Sequence, residues 1–107
     1  MTTAEMKDIL YNKLQDEGCY FTKRDLSVKW IPKDKAVWIV VKDYEHIKFK
    51  MTTEEDDYFG KIVNIVSYWQ DGCELKRDET VAFIDSKHDY RYRDAMLRLG
   101  YYIGTRF

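Results

Sequence analysis

Met6, Ile9, Leu10 and Leu14 recur at the three- and four-residue steps that line one side of a helix. Thr2 and Glu5 stand at capping-box spacing ahead of them: the hydroxyl accepts an amide of the first turn and the carboxylate reaches back. Gly18 ends the segment, since glycine enters the left-handed region without a Cβ penalty. The period then changes to two. Leu26, Val28 and Trp30 alternate with Ser27 and Lys29, and Pro32-Lys33-Asp34-Lys35 makes a turn. Residues 36–41 are apolar throughout, which predicts a strand inside the sheet with Val37, Ile39 and Val41 on one face and Trp38 and Val40 on the other. After a turn at Asp43-Tyr44-Glu45, Ile47, Phe49 and Met51 alternate with His46, Lys48 and Lys50; lysines on an outward face also protect a sheet edge.

A second helix is expected from Thr53 to Gly72. Glu54, Glu55, Asp56 and Asp57 crowd its first turn, where the helix dipole favours anions, and Tyr58, Phe59, Ile62, Val63, Val66 and Tyr68 or Trp69 form a broad apolar arc. A short strand at 80–84 and a third helix follow, with Ser86 as cap, Asp89 at N3, Tyr92, Ala95, Met96 and Leu99 on its buried side, and Gly100 as its end. The aromatic stretch 101–107 reads as a final strand. The expectation is a single α+β domain over 1–107: helix, three-stranded antiparallel meander, helix, short strand, helix, final strand (α-β-β-β-α-β-α-β), with helices on one face; covering both faces of 36–41, which its apolar run allows, requires a helix on each side or a dimer. An internal echo pairs 2–49 with 52–107: Thr2-Thr3-Ala4-Glu5 with Thr52-Thr53-Glu54-Glu55, and Gln15-Asp16-Glu17-Gly18-Cys19 with Gln70-Asp71-Gly72-Cys73. If it marks a duplication, each copy is a capped helix, a glycine stop, a basic turn and a strand.

Composition bounds the class. With 107 residues, 45% hydrophobic and 35% charged, the chain is long enough for one core and too apolar for obligate disorder. No basic and apolar leader pattern opens it, and its longest apolar run is six residues, far short of the roughly 20 that span a bilayer. Cys19 and Cys73 lie in no metal-like spacing and are expected to be free thiols, which places the chain in the cytoplasm. The net charge of −1 gives no global pull on polyanions. Locally, Lys87, Arg91, Arg93, Arg98 and Arg106 face only Asp89 and Asp94, a balance of +3 that leaves −4 on the first 85 residues.

Candidate chemistry is sparse. Phosphate-loop, dinucleotide-loop, zinc-helix and nucleophile-elbow motifs are absent from the sequence, and no cofactor or metal is expected. Asp85, His88 and Asp89 lie where a strand hands over to a helix and are the candidates for an acid, base or metal ligand; turn and cap chemistry explains them as well. Four consecutive acids at 54–57 lack the alternation of a calcium loop. Aromatic residues reach 16%, nine of them tyrosines; Trp30, Trp38 and Trp69 are expected mainly in the core, while several tyrosines must remain exposed. The favoured function is a non-enzymatic protein-interaction domain, accessory, inhibitory or self-associating, using a surface of Tyr90, Arg91, Arg98, Tyr101, Tyr102 and Arg106. The alternative is nucleic-acid binding through the basic, aromatic segment 87–106, where arginines grip phosphates and rings stack on bases. A small enzyme or metal site around Asp85, His88 and Asp89 is the third reading. No membrane contact is expected.

Overall fold

The computed structural model describes residues 1–44, 46–85 and 90–106, the side chain of Asp43 excepted. The chain opens with helix α1 (Thr3–Asp16), and the expected capping box forms: Thr2 Oγ1 accepts from the Glu5 amide at 3.1 Å and Glu5 accepts from the Thr2 amide at 3.2 Å. The Thr2 amide and then the Thr2 hydroxyl, both donating to Glu5 Oε1, hold the Glu5 carboxyl below its usual range. Gly18 follows with φ +81°, and the Cys19 amide closes the end on the Leu14 carbonyl. Five strands then run as one antiparallel meander: β1 (Leu26–Ile31), β2 (Ala36–Val41), β3 (Ile47–Asp56), β4 (Gly60–Asp71) and β5 (Glu74–Asp85), paired in sequence order. Helix α2 (Arg91–Arg106) completes the domain.

The first three strands fall where the alternation places them, but the helix expected from 53 to 72 is a hairpin. Thr53 to Asp56 prolong β3, and Ile62 to Trp69 lie in β4. Asp56 Oδ1 accepts from the Tyr58 and Phe59 amides at 2.8 and 2.9 Å, and Gly60 takes φ +77°. Of the acids that suggested a helix start, Glu54 and Glu55 lie in β3 and Asp56 closes a turn, through the side-chain-to-backbone bonds at which Asp excels. The β-branched residues Ile62, Val63, Ile65 and Val66 then favour the pleated backbone, and β4 is apolar on both faces, which mimics a helical arc. Gly72, expected as a helix stop, takes φ +61° as first residue of the two-residue loop between Asp71 and Glu74, as a type II′ hairpin turn requires. The strand expected at 80–84 extends over all of β5.

The C-terminal strand expected at 101–107 is absent among the described residues; α2 runs through Gly100 to Arg106. The α-β-β-β-α-β-α-β order is thus corrected, among the described residues, to one α-helix, five strands and one α-helix. The echoing stretches take different structures: 2–18 builds α1, whereas 52–72 builds the β3–β4 hairpin and its exit. The cap expected at Ser86 and Asp89 lies outside the described residues.

Both helices pack on one face of the sheet. Met6, Leu10 and Leu14 of α1 and Ala95, Met96, Leu99 and Ile103 of α2 join Val28, Val37, Ile39, Val41, Phe49, Met51, Val63, Ile65, Ala82 and Ile84 in one core. Glycine stays inside α2 because α1 crosses there. A Cβ on Gly100 would stand 2.5 Å from Lys13 Cγ, and one on Gly104 would stand 2.6 Å from Glu17 Cβ. The Lys13 and Glu17 stems lie across this flat strip and join in an ion pair of 2.8 Å. Gly100→Ala is expected to lower stability by chemical denaturation, because overpacking of about 1–3 kcal/mol exceeds the ~1 kcal/mol propensity gain of alanine. Ile39→Ala is expected to cost about 2–4 kcal/mol through lost burial and a cavity; a loss under ~1 kcal/mol contradicts its central place.

Candidate functional site

The strand register places the other face of the sheet in rows. One row is Ser27, Val40, Lys48, Tyr68 and Arg77; the next is Lys29, Trp38, Lys50, Val66 and Thr80. A third holds Thr52, Asn64 and Phe83, and a fourth Glu54, Ile62 and Asp85. No described helix covers this face. β3 is the middle strand of the sheet, so Lys48 and Lys50, expected to guard an edge, stand at the centre of the face instead.

Aromatic rings lie among these cations. Trp38 and Tyr68 meet at 5.6 Å between centroids, tilted by 56°, and Lys50 Nζ lies 5.8 Å from the Trp38 ring. The Trp38 indole donates to Asp34 Oδ2 at 2.9 Å, which fixes the ring against the β1–β2 turn. Beside it a groove of about 480 Å³ is lined by Ser27, Lys29, Ile31, Asp34, Trp38, Val40, Lys48 and Leu75. Phe83 extends the apolar surface and is covered in turn by Phe59, with centroids 5.5 Å apart. Among the described residues Lys29, Lys48, Lys50 and Arg77 form no ion pair. The whole chain carries −1, so everything outside these four cations carries −5. Among the described residues, the carboxylates in these four rows are Glu54 and Asp85, both in the fourth, and Asp34 stands in the β1–β2 turn beside Trp38. Asn64 is buried on the same face, and its Oδ1 has no hydrogen-bond partner among the described residues.

The residues expected to form the contact surface divide on α2. Tyr102 donates to Glu79 Oε1 at 2.7 Å and packs edge-on against Phe49; Arg106 pairs with the same carboxylate at 2.9 Å and lies over the Tyr102 ring. These two dock the helix on β5. The Ser67 hydroxyl prepares the dock, accepting from the Glu79 amide at 3.2 Å where β4 and β5 slip register. Arg98 donates to the Phe83 carbonyl at 3.3 Å. Tyr101 is 58% exposed beside a groove of about 500 Å³ that also meets Leu97, Val81 and Lys13. Tyr90 is exposed at the other end, where Arg93 lies over its ring, and Arg91 lies over Tyr92. The Thr53 hydroxyl and Arg91 hold the Tyr92 hydroxyl below its usual pKa.

His88 and Asp89 lie outside the described residues, so the geometry of the Asp85, His88 and Asp89 candidate does not enter; Asp85 is exposed at the end of β5. Among the described residues no three histidine, cysteine, aspartate or glutamate side chains gather where they could hold a metal ion. Cys19 and Cys73 are free, and among the described residues no helix is long and apolar enough to cross a membrane. The tryptophans expected in the core lie at its margins: Trp30 is 53% exposed beside a cleft of about 510 Å³ with Met6, Met51 and Tyr92, Trp69 is 38% exposed, and Trp38 is half-buried on the open face. Comparison with family models, curated proteins and solved structures finds no match for the chain.

Sequence patterning singled out Tyr90, Arg91, Arg98, Tyr101, Tyr102 and Arg106 as a contact surface and did not single out the open face. The signal was present in Lys29, Trp38, Lys48 and Lys50, which all occupy the phase opposite to Val28, Ile39 and Phe49. Burial, then the Glu79 carboxylate, raise the Tyr102 hydroxyl above its ordinary pKa of 10.0. A raised pKa contributes stability that is full below the unfolded value and is lost as pH rises through the folded one. Denaturation of the native chain and Tyr102→Phe should therefore differ most near pH 8, with the gap narrowing by about pH 11 as the hydroxyl ionises. A gap that widens with pH contradicts this docking.

Proposed function

We propose that the domain is non-catalytic and acts by holding a macromolecular partner against the open sheet face. The observation that carries the reading is that both described helices cover one face, while the other holds rings and cations with no ion pair among the described residues. A sheet face of Trp38, Val40, Tyr68, Leu75 and Phe83 is large and aromatic, the composition that anchors interfaces at low ordering cost. Self-association through it is disfavoured, because a second copy laid on this face sets Lys29, Lys48, Lys50 and Arg77 against their like. Protein contact is the role proposed for the groove on α2, where Tyr101 and Leu97 stand beside Arg98 and Lys13 as an apolar centre with a basic rim.

A photo-cross-linking side chain placed at Lys29 tests the primary surface, with one at Tyr101 as comparison. In lysate of the source cell, Lys29 should give a macromolecular adduct that Trp38→Ala plus Tyr68→Ala removes while circular dichroism stays native. Adducts from Tyr101 alone would transfer the function to α2, and adducts from neither site would contradict the reading.

A further inference from the structure

The open face carries a more specific assignment, which rests on its being the contact surface: we infer that its occupant is a single-stranded nucleic acid. The cations are spread across the sheet. Lys29 is on the β1 edge, Lys48 and Lys50 are on the central strand, and Arg77 is on the β5 edge. Strands about 4.8 Å apart set Lys29 and Arg77 roughly 19 Å apart, with the two central lysines between them. That is a track for a polymer of charges. Trp38 and Tyr68 lie within the same two rows, so rings and cations alternate along it.

A strand of unpaired nucleotides meets both features together, phosphates on the cations and bases on the rings. An acidic peptide answers only the cations, and an apolar protein surface leaves four charges without partners. A duplex hides the base faces that Trp38 and Tyr68 would stack on, and an open sheet has no projecting element to enter a groove. The groove of about 480 Å³ beside Trp38 offers Lys29 and Lys48 for a phosphate and Asp34 and Ser27 for the polar edge of a base. Asn64 lies buried in the adjoining row, and its Oδ1 has no hydrogen-bond partner among the described residues.

The test uses fluorescence anisotropy of the full chain with labelled 12-nucleotide oligo-dT and oligo-U and a 12-base-pair duplex, over a series of salt concentrations. Either single strand should bind in preference to the duplex, and the two separate DNA from RNA as the natural source. With roughly 0.7 logarithmic units per contacted phosphate, four cations give a slope of about −3 per decade of salt, which Lys48→Ala plus Lys50→Ala should reduce to about −1.4. Trp38→Ala should weaken binding about 5- to 150-fold, the range for loss of one stacked base, and Trp38→Phe should recover most of it. Absence of binding at low salt, equal binding of the duplex, a slope indifferent to the lysines, or dependence on Arg91 and Arg98 instead would each overturn the assignment. If the oligonucleotides fail while Lys29 still gives a Trp38-dependent protein adduct in lysate, the single-strand assignment falls and the open-face reading stands. If that adduct is absent too, both fall.

Discussion

The contact of α1 with Gly100 and Gly104 lets both helices cover the same side of the sheet. Five strands span about 19 Å between the outer axes, and two helices lying side by side, each about 10 Å across, are enough to roof that width. They can lie side by side only if their axes come close. The missing Cβ atoms on α2 allow that approach, because the Lys13 and Glu17 stems occupy the space the methyl groups would take. The Lys13–Glu17 pair then stretches along the seam, its charges outward and its methylenes inward. With both helices drawn to one face, the chain has no described helix left for the other.

The function assigned to the open face follows from that asymmetry. A half-covered antiparallel sheet ordinarily turns polar side chains to water on its free side. Here β4 contributes Ile62, Asn64 and Val66 to the free side, all buried under their neighbours, while β2 and β3 supply Trp38, Val40, Lys48 and Lys50. In the proposed reading, like-charge repulsion among these cations opposes stacking of the face on its own copies while leaving it attractive to anions. On the covered side Ser67, Glu79, Tyr102 and Arg106 form a polar tie between the β4–β5 irregularity and α2. Tyr102 and Arg106, two of the six residues that gave the C-terminal segment the look of a binding surface, hold the helix in place there.

Much of this architecture was legible in the residues. Thr2 and Glu5 announced α1, and Val37, Ile39 and Val41 announced both the strand and the face it turns to the core. The segment 53–71 was not legible, because period two and period 3.6 become hard to tell apart when a strand is apolar on both sides, as β4 is. Asp56 compounded this: an acid can satisfy amides at a helix start or in a tight turn, and only long-range pairing with β3 selects the second. Gly100 misled for a related reason, since a glycine needed for close packing looks the same as one that ends a helix. The lysines of the candidate site were correctly placed facing outward, but their meaning depended on β3 being the middle strand, and sheet order is a tertiary fact.

The one-sided helix layer can be tested most directly by adding a soluble gadolinium chelate to the methyl-labelled chain and measuring relaxation residue by residue. The methyls of Val40 and Leu75 should relax strongly, while those of Ile39, Val63 and Leu99 stay protected beneath the helices. Protection of Val40 and Leu75 equal to that of Ile39 would mean that a further layer covers the second face, and would contradict the account.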